Sequence, residues 1–135
     1  LSNYINFFKK MPYFVKTNNG IFISHTGPSK SIKSMNDFNK IFKNDYDFKS
    51  LHDFLWNRFD NDYNENDVDN FLKIVGSKCM VVGHTVVDGF LIYGNQMILS
   101  SSFATDNKAY LDIDLSEPIN NMDDLVDNIK FLYVK

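Results

Sequence analysis

The chain has 135 residues, 44% hydrophobic and 16% aromatic, with only 23% charged, which suits one domain with its own core and excludes a disordered segment or a coiled coil. Fourteen Lys and Arg against 17 Asp and Glu leave a net charge of −3, which argues against non-specific binding to nucleic acid. No apolar run approaches the ~20 residues that cross a bilayer, and a single cysteine, Cys79, allows neither an internal disulfide nor a cysteine-based zinc site, so a cytoplasmic setting is expected.

In chain order, Pro12-Tyr13-Phe14-Val15 reads as a strand turning at Asn18-Asn19-Gly20 into Ile21-Phe22-Ile23-Ser24, a short buried strand that ends at His25. Three helical patterns follow. Ser34 with Asp37 forms a capping pattern ahead of Phe38, Ile41 and Phe42, and Ser50 with Asp53 does the same ahead of Phe54, Leu55 and Trp56. Asn66 is the expected cap of a third helix, in which Val68, Phe71, Leu72 and Val75 share a face and Gly76 marks the stop. Cys79-Met80-Val81-Val82 is apolar throughout, as a strand covered on both faces would be, and ends at Gly83-His84.

Phe90 to Tyr93 and Gln96 to Leu99 flank Gly94-Asn95, a two-residue hairpin signal. From Ala109 to Leu115, apolar Leu111, Ile113 and Leu115 alternate with Asp112 and Asp114, which predicts a strand with one wet face. Met122, Leu125, Val126, Ile129 and Leu132 fall on one helical stripe, with Asp123 and Asp124 at its N-terminal end. The whole predicts one α/β (α+β) body with a β-rich second half.

His25 and His84 stand in matching places, each at the carboxyl end of an apolar strand with a turn directly after it. Ligands of open α/β sheets bind at such ends, and two histidines so placed could converge on one metal ion. A single histidine at a strand end is more often a hydrogen-bonded structural residue than a ligand; the shared context raises the pair to an even choice, and two do not complete a site that usually takes at least three protein ligands. Asn occurs 17 times, Asp 15 and Lys 13, whereas Arg58 is the single arginine. Its planar guanidinium is suited to gripping phosphate oxygens; a surface arginine at a helix end is the plainer alternative. Trp56 reads as core packing and His52 as a surface residue. Asp60, Asp62 and Asn64 have the opening spacing of a calcium loop, but Glu65 and Phe71 replace its glycine and closing glutamate, leaving a solvated acidic loop.

Three segments in order carry a family resemblance. Phe22-Ile23-Ser24-His25-Thr26-Gly27-Pro28-Ser29, Phe54-Leu55-Trp56-Asn57-Arg58, and Val81-Val82-Gly83-His84-Thr85 with Asp88-Gly89 resemble the His-Gly, Leu-Leu-Trp and Gly-His elements of the serine/threonine phosphoprotein phosphatase-type metallophosphoesterases. The resemblance spans about residues 12–115 and implies part of a β-sandwich flanked by helices. It also implies a centre of two divalent metal ions, manganese, iron or zinc, that activates water for attack on a phosphomonoester. His25 and His84 would be ligands of the same metal, each with its other ring nitrogen held by an acceptor, and Arg58 would clamp the substrate phosphate.

Thr26 departs from the family glycine, and Ser100 to Asn107 replaces the tyrosine-bearing substrate loop of eukaryotic members, in a manner more like prokaryotic ones. No Gly-Asp or Asn-His pair occurs in the chain, so the family's remaining ligand motifs are missing. The sequence therefore resembles the C-terminal half of the catalytic domain. Together with its start at Leu1, that predicts a break within a longer phosphatase, inactive alone and prone to self-association through exposed sheet. Phosphoprotein or phosphopeptide is the expected substrate, with no nucleic-acid or membrane partner. A dinucleoside polyphosphate hydrolase and a non-catalytic binding module are the alternatives.

Overall fold

A computed structural model describes residues 1–43 and 48–133. The elements run α1 (Ser2–Phe8), β1 (Phe14–Lys16), β2 (Ile21–Ser24), α2 (Met35–Lys43), α3 (Phe48–Trp56), α4 (Glu65–Val75), β3 (Cys79–Val82), β4 (Phe90–Tyr93), β5 (Gln96–Leu99), β6 (Lys108–Leu111), α5 (Met122–Val126) and β7 (Ile129–Leu132). The fold is mixed α+β.

The main sheet has five strands in the order β1-β2-β3-β5-β4, and β6 pairs with β7 in a separate two-stranded ribbon. β1 is antiparallel to β2, while β2, β3 and β5 run parallel, with Phe22 opposite Met80 and Val82 opposite Ile98. The connection between the parallel neighbours β2 and β3 carries α2, α3 and α4.

Strand periodicity then divides the core. Phe22, Met80, Val82 and Ile98 face one way and pack with Ile41, Phe54, Val68, Phe71, Leu72 and Val75 of the helices. Ile21, Cys79, Val81 and Met97 face the other way, beneath Ile119, Met122 and Leu125 and the half-buried Leu111 and Ile129 of the ribbon. All of β3 is buried because it has a layer on each side. The sheet thus carries the helices on one face and the two-stranded ribbon with the short helix α5 on the other. Helix α1 contributes nothing to either cluster, and all of its residues are exposed.

Most elements lie where the pattern places them, with four differences. Helix α3 begins ahead of Ser50, so Ser50 is no cap; its hydroxyl instead meets that of Ser31 at 2.7 Å. The cap of α4 is Asn64 rather than Asn66: Asn64 accepts from the Asp67 amide and its own amide donates to the Asp67 carboxylate. The strand from Ala109 stops at Leu111, leaving Ile113 half-buried and Leu115 exposed. The last helix ends at Val126, and Ile129 to Leu132 form β7, paired antiparallel with Lys108 to Leu111.

Candidate metal centre

His25 follows β2 and His84 follows β3 by one residue. Because those strands are parallel neighbours, both histidines emerge at one end of the sheet. The Gly83 amide donates to the His25 carbonyl at 3.0 Å and carries the pairing one step past the strands. His84 then takes a left-handed backbone, φ +61°, which turns its ring across the gap. His25 Nε2 lies 2.9 Å from His84 Nδ1, with ring centroids 4.7 Å apart. Two imidazole nitrogens about 2.0–2.1 Å from a tetrahedral zinc are about 3.3 Å apart, and a right-angled pair on an octahedral ion at a similar distance is about 3 Å apart. The pair therefore fits one shared metal, and equally one hydrogen bond in which one imidazole donates to the other.

Burial, the neighbouring His25 and the Arg58 guanidinium hold the His84 imidazole below its usual pKa, while the Trp56 backbone works in the opposite direction. A neutral ring is the form that binds metal. Among the described residues His84 Nε2 is buried with no hydrogen bond of full geometry, and the Trp56 backbone, whose hydrogen-bonding effect raises the His84 pKa, is the acceptor that stands behind the ring. Among the described residues, no group of three or more His, Cys, Asp or Glu side chains gathers to hold a metal. The two nitrogens fit the ion; the ligand count falls short.

Arg58 belongs to the same corner. Its Nη1 donates to Thr85 Oγ1 at 3.5 Å, a long bond that leaves most of the exposed guanidinium free for another acceptor. The acidic loop beyond it has structural duties: Asp62 accepts from the Arg58 amide and Asn64 caps α4. His52 is exposed, as expected, and its ring lies beside Trp56. Trp56 differs from its reading as core. It is 62% exposed and stands with its ring perpendicular to that of His84, centroids 6.0 Å apart, as a wall of the site.

A buried frame holds the turn after His25. The Thr26 amide donates to the Phe54 carbonyl, and the Thr26 hydroxyl donates to the Asn57 carbonyl. Asn57 Nδ2 in turn donates to the Pro28 carbonyl at 3.3 Å. Across the core, Gln96 Nε2 donates to the Gly27 carbonyl and Gln96 Oε1 accepts from the Tyr63 hydroxyl, each at 2.8 Å. Thr26 is therefore a tie between the turn and the end of α3. Gln96 carries a polar signal inside an apolar strand, and a polar residue there asks for buried partners.

The chain matches no protein-family model and no curated protein. Among the described residues no helix is long and apolar enough to cross a membrane.

Proposed function

We propose that the chain supplies two histidine ligands, His25 and His84, to one metal of a phosphomonoesterase centre of the serine/threonine phosphoprotein phosphatase type. The observation that carries this reading is the 2.9 Å approach of His25 Nε2 to His84 Nδ1 from the carboxyl ends of adjacent parallel strands. In this reading each imidazole is neutral and turns the lone pair of that nitrogen to the shared ion. Arg58 is the one guanidinium of the chain, and in this reading it grips and orients the substrate phosphate. When bound, divalent manganese, iron or zinc supplies Lewis acidity toward phosphate and lowers the pKa of water. Two protein ligands alone hold an ion weakly, so further donors from another segment or chain complete the centre, and the 135 residues by themselves are inactive.

Titration of the metal-free chain with Zn2+ and Mn2+ by calorimetry tests the ligand pair. One equivalent binds to the native chain, and either His25→Ala or His84→Ala weakens binding at least tenfold. Metal affinity unchanged in both variants overturns the reading. A second substrate is favoured by one observation: exposed Trp56 beside His84 offers a stacking face to a planar group. That would suit a dinucleoside polyphosphate. Comparing hydrolysis of a phosphopeptide and of diadenosine tetraphosphate by the completed centre decides between them.

A further inference from the structure

We propose that the cleft between residues 29–33 and α4 binds a small organic phosphate. The cleft encloses about 340 Å³ and is lined by Lys30, Lys33 and Lys73, by Asn70, and by Ile32, Phe71 and Ile74, among others; His25, His84 and Arg58 are not in it. Helix geometry explains the arrangement. Residues 67, 70, 71 and 74 recur at three- and four-residue spacing, so they form a face of α4 that borders the sheet-packing one and shares Phe71 with it.

Charge is the first argument. In a chain of net charge −3, three exposed lysines gather around one opening, and among the described residues none of them has an ion-pair partner. The carboxylate in the cleft, Asp67, already accepts the Asn64 amide of the α4 cap at 3.0 Å. Ser29 is likewise committed, since its hydroxyl donates to Asp53 at 2.6 Å. Three ammonium-bearing side chains against the single carboxylate of Asp67 leave the lining of the cleft with an excess of positive charge, which concentrates anions. Ammonium groups bind phosphate as point charges, and a phosphomonoester carrying about −1.5 to −2 charges meets three of them better than a single carboxylate does.

Shape supplies the rest. The volume lies at the small end of the roughly 300–1,000 Å³ typical of ligand pockets, which suits a small molecule better than a peptide or a membrane surface. Buried Ile32 and Phe71 and half-buried Ile74 give it an apolar floor, so a phosphate with an apolar or planar substituent gains burial there. The Asn70 side chain makes no hydrogen bond among the described residues and offers both a donor and an acceptor to that substituent.

Phenyl phosphate is the probe, followed by amide chemical shifts and calorimetry on the metal-free chain. Saturable shifts at residues 30–33 and 70–74 are expected, with weaker binding as NaCl is raised. Lys33→Glu combined with Lys73→Glu weakens binding at least tenfold, while Lys73→Arg and Arg58→Ala leave it within twofold. Shifts confined to residues around His25, His84 and Arg58, the absence of saturation, or full affinity in the double charge reversal would each overturn the assignment. Inorganic phosphate is expected to bind several-fold more weakly; equal affinity removes the organic substituent from the proposal.

Discussion

The side chain of Gln96, with no exposed surface, donates to the carbonyl of Gly27 at 2.8 Å, although 69 residues separate them. The bond ties β5 to the turn directly after His25. Since the Gln96 oxygen also accepts from Tyr63, one amide spans the core between two loops.

Breaking that bridge leaves buried polar atoms without partners, at about 1–3 kcal/mol for each. Gln96→Leu strands the Gly27 carbonyl and leaves the Tyr63 hydroxyl with Thr26 alone, and is expected to be the costlier change. Tyr63→Phe strands only the Gln96 oxygen. Urea midpoints with an unchanged m-value measure both, and the double variant should cost less than the sum of the two. Strict additivity would show that the bridge is not one unit.

Gly27 itself has φ +107°, and a Cβ built on it would meet Phe54 Cδ1 at 2.7 Å. Gly27→Ala therefore combines a backbone that L-residues avoid with a collision against a buried ring. A destabilisation of about 1–3 kcal/mol is expected from the backbone alone, with more from displacing Phe54. Thermal melting checks this, and a variant as stable as the parent contradicts the turn geometry.

Burial pushes the Tyr63 hydroxyl up to about 12, against the lowering effect of hydrogen bonds with Thr26 and Gln96. A group whose pKa is higher folded than unfolded binds its proton more tightly in the native state. Its contribution is complete below the ordinary tyrosine value near 10 and is lost as pH rises from there toward about 12. Stability measured across that window should fall less steeply in Tyr63→Phe than in the parent. Parallel slopes would mean that the native hydroxyl ionises freely.

Cys79 is fully buried in β3, and burial, followed by the charge of Asp124, pushes its thiol up to about 11. The thiolate is the reactive form. At pH 8 the native chain should react with a disulfide reagent roughly a hundredfold or more slowly than the urea-unfolded chain, whose thiol has a pKa near 8.5. Comparable rates would place Cys79 at the surface.

How far the sequence reveals this molecule depends on the range of the forces involved. Ile21 to Ser24, Cys79 to Val82 and the Gly94-Asn95 hairpin are legible because a short apolar run between turn formers has one good solution. The face of Val68, Phe71, Leu72 and Val75 is legible for the same local reason. Ile129 to Leu132 is not, since its apolar residues also continue the stripe from Met122. Pairing with Lys108 to Leu111, a contact invisible in local periodicity, decides for strand. The α4 cap is a contest between two nearby asparagines, settled by the reciprocal bonds of Asn64 with Asp67.

The site divides along similar lines. His25, His84 and Arg58 stand out in the sequence by residue type and place, and the structure brings them to one corner. Trp56 misleads because a large ring is normally worth burying, yet it lies on the outer side of α3 next to His84. Gln96 and Tyr63 stay hidden because their meaning lies wholly in a tertiary bond.

The parallel pairing of β2 with β3 has a consequence for any ligand that engages both imidazoles. His25 and His84 are 59 residues apart in sequence, and every helix of the sheet's inner layer, α2, α3 and α4, lies in the intervening loop. An ion held by both rings would act as a removable cross-link closing that loop. In the chain-entropy view, a covalent link closing a loop of 15 to 100 residues restricts the unfolded chain by about 3 to 4.7 kcal/mol. Occupancy of the centre would thus be felt through the whole helical layer, including parts that never approach the ligand.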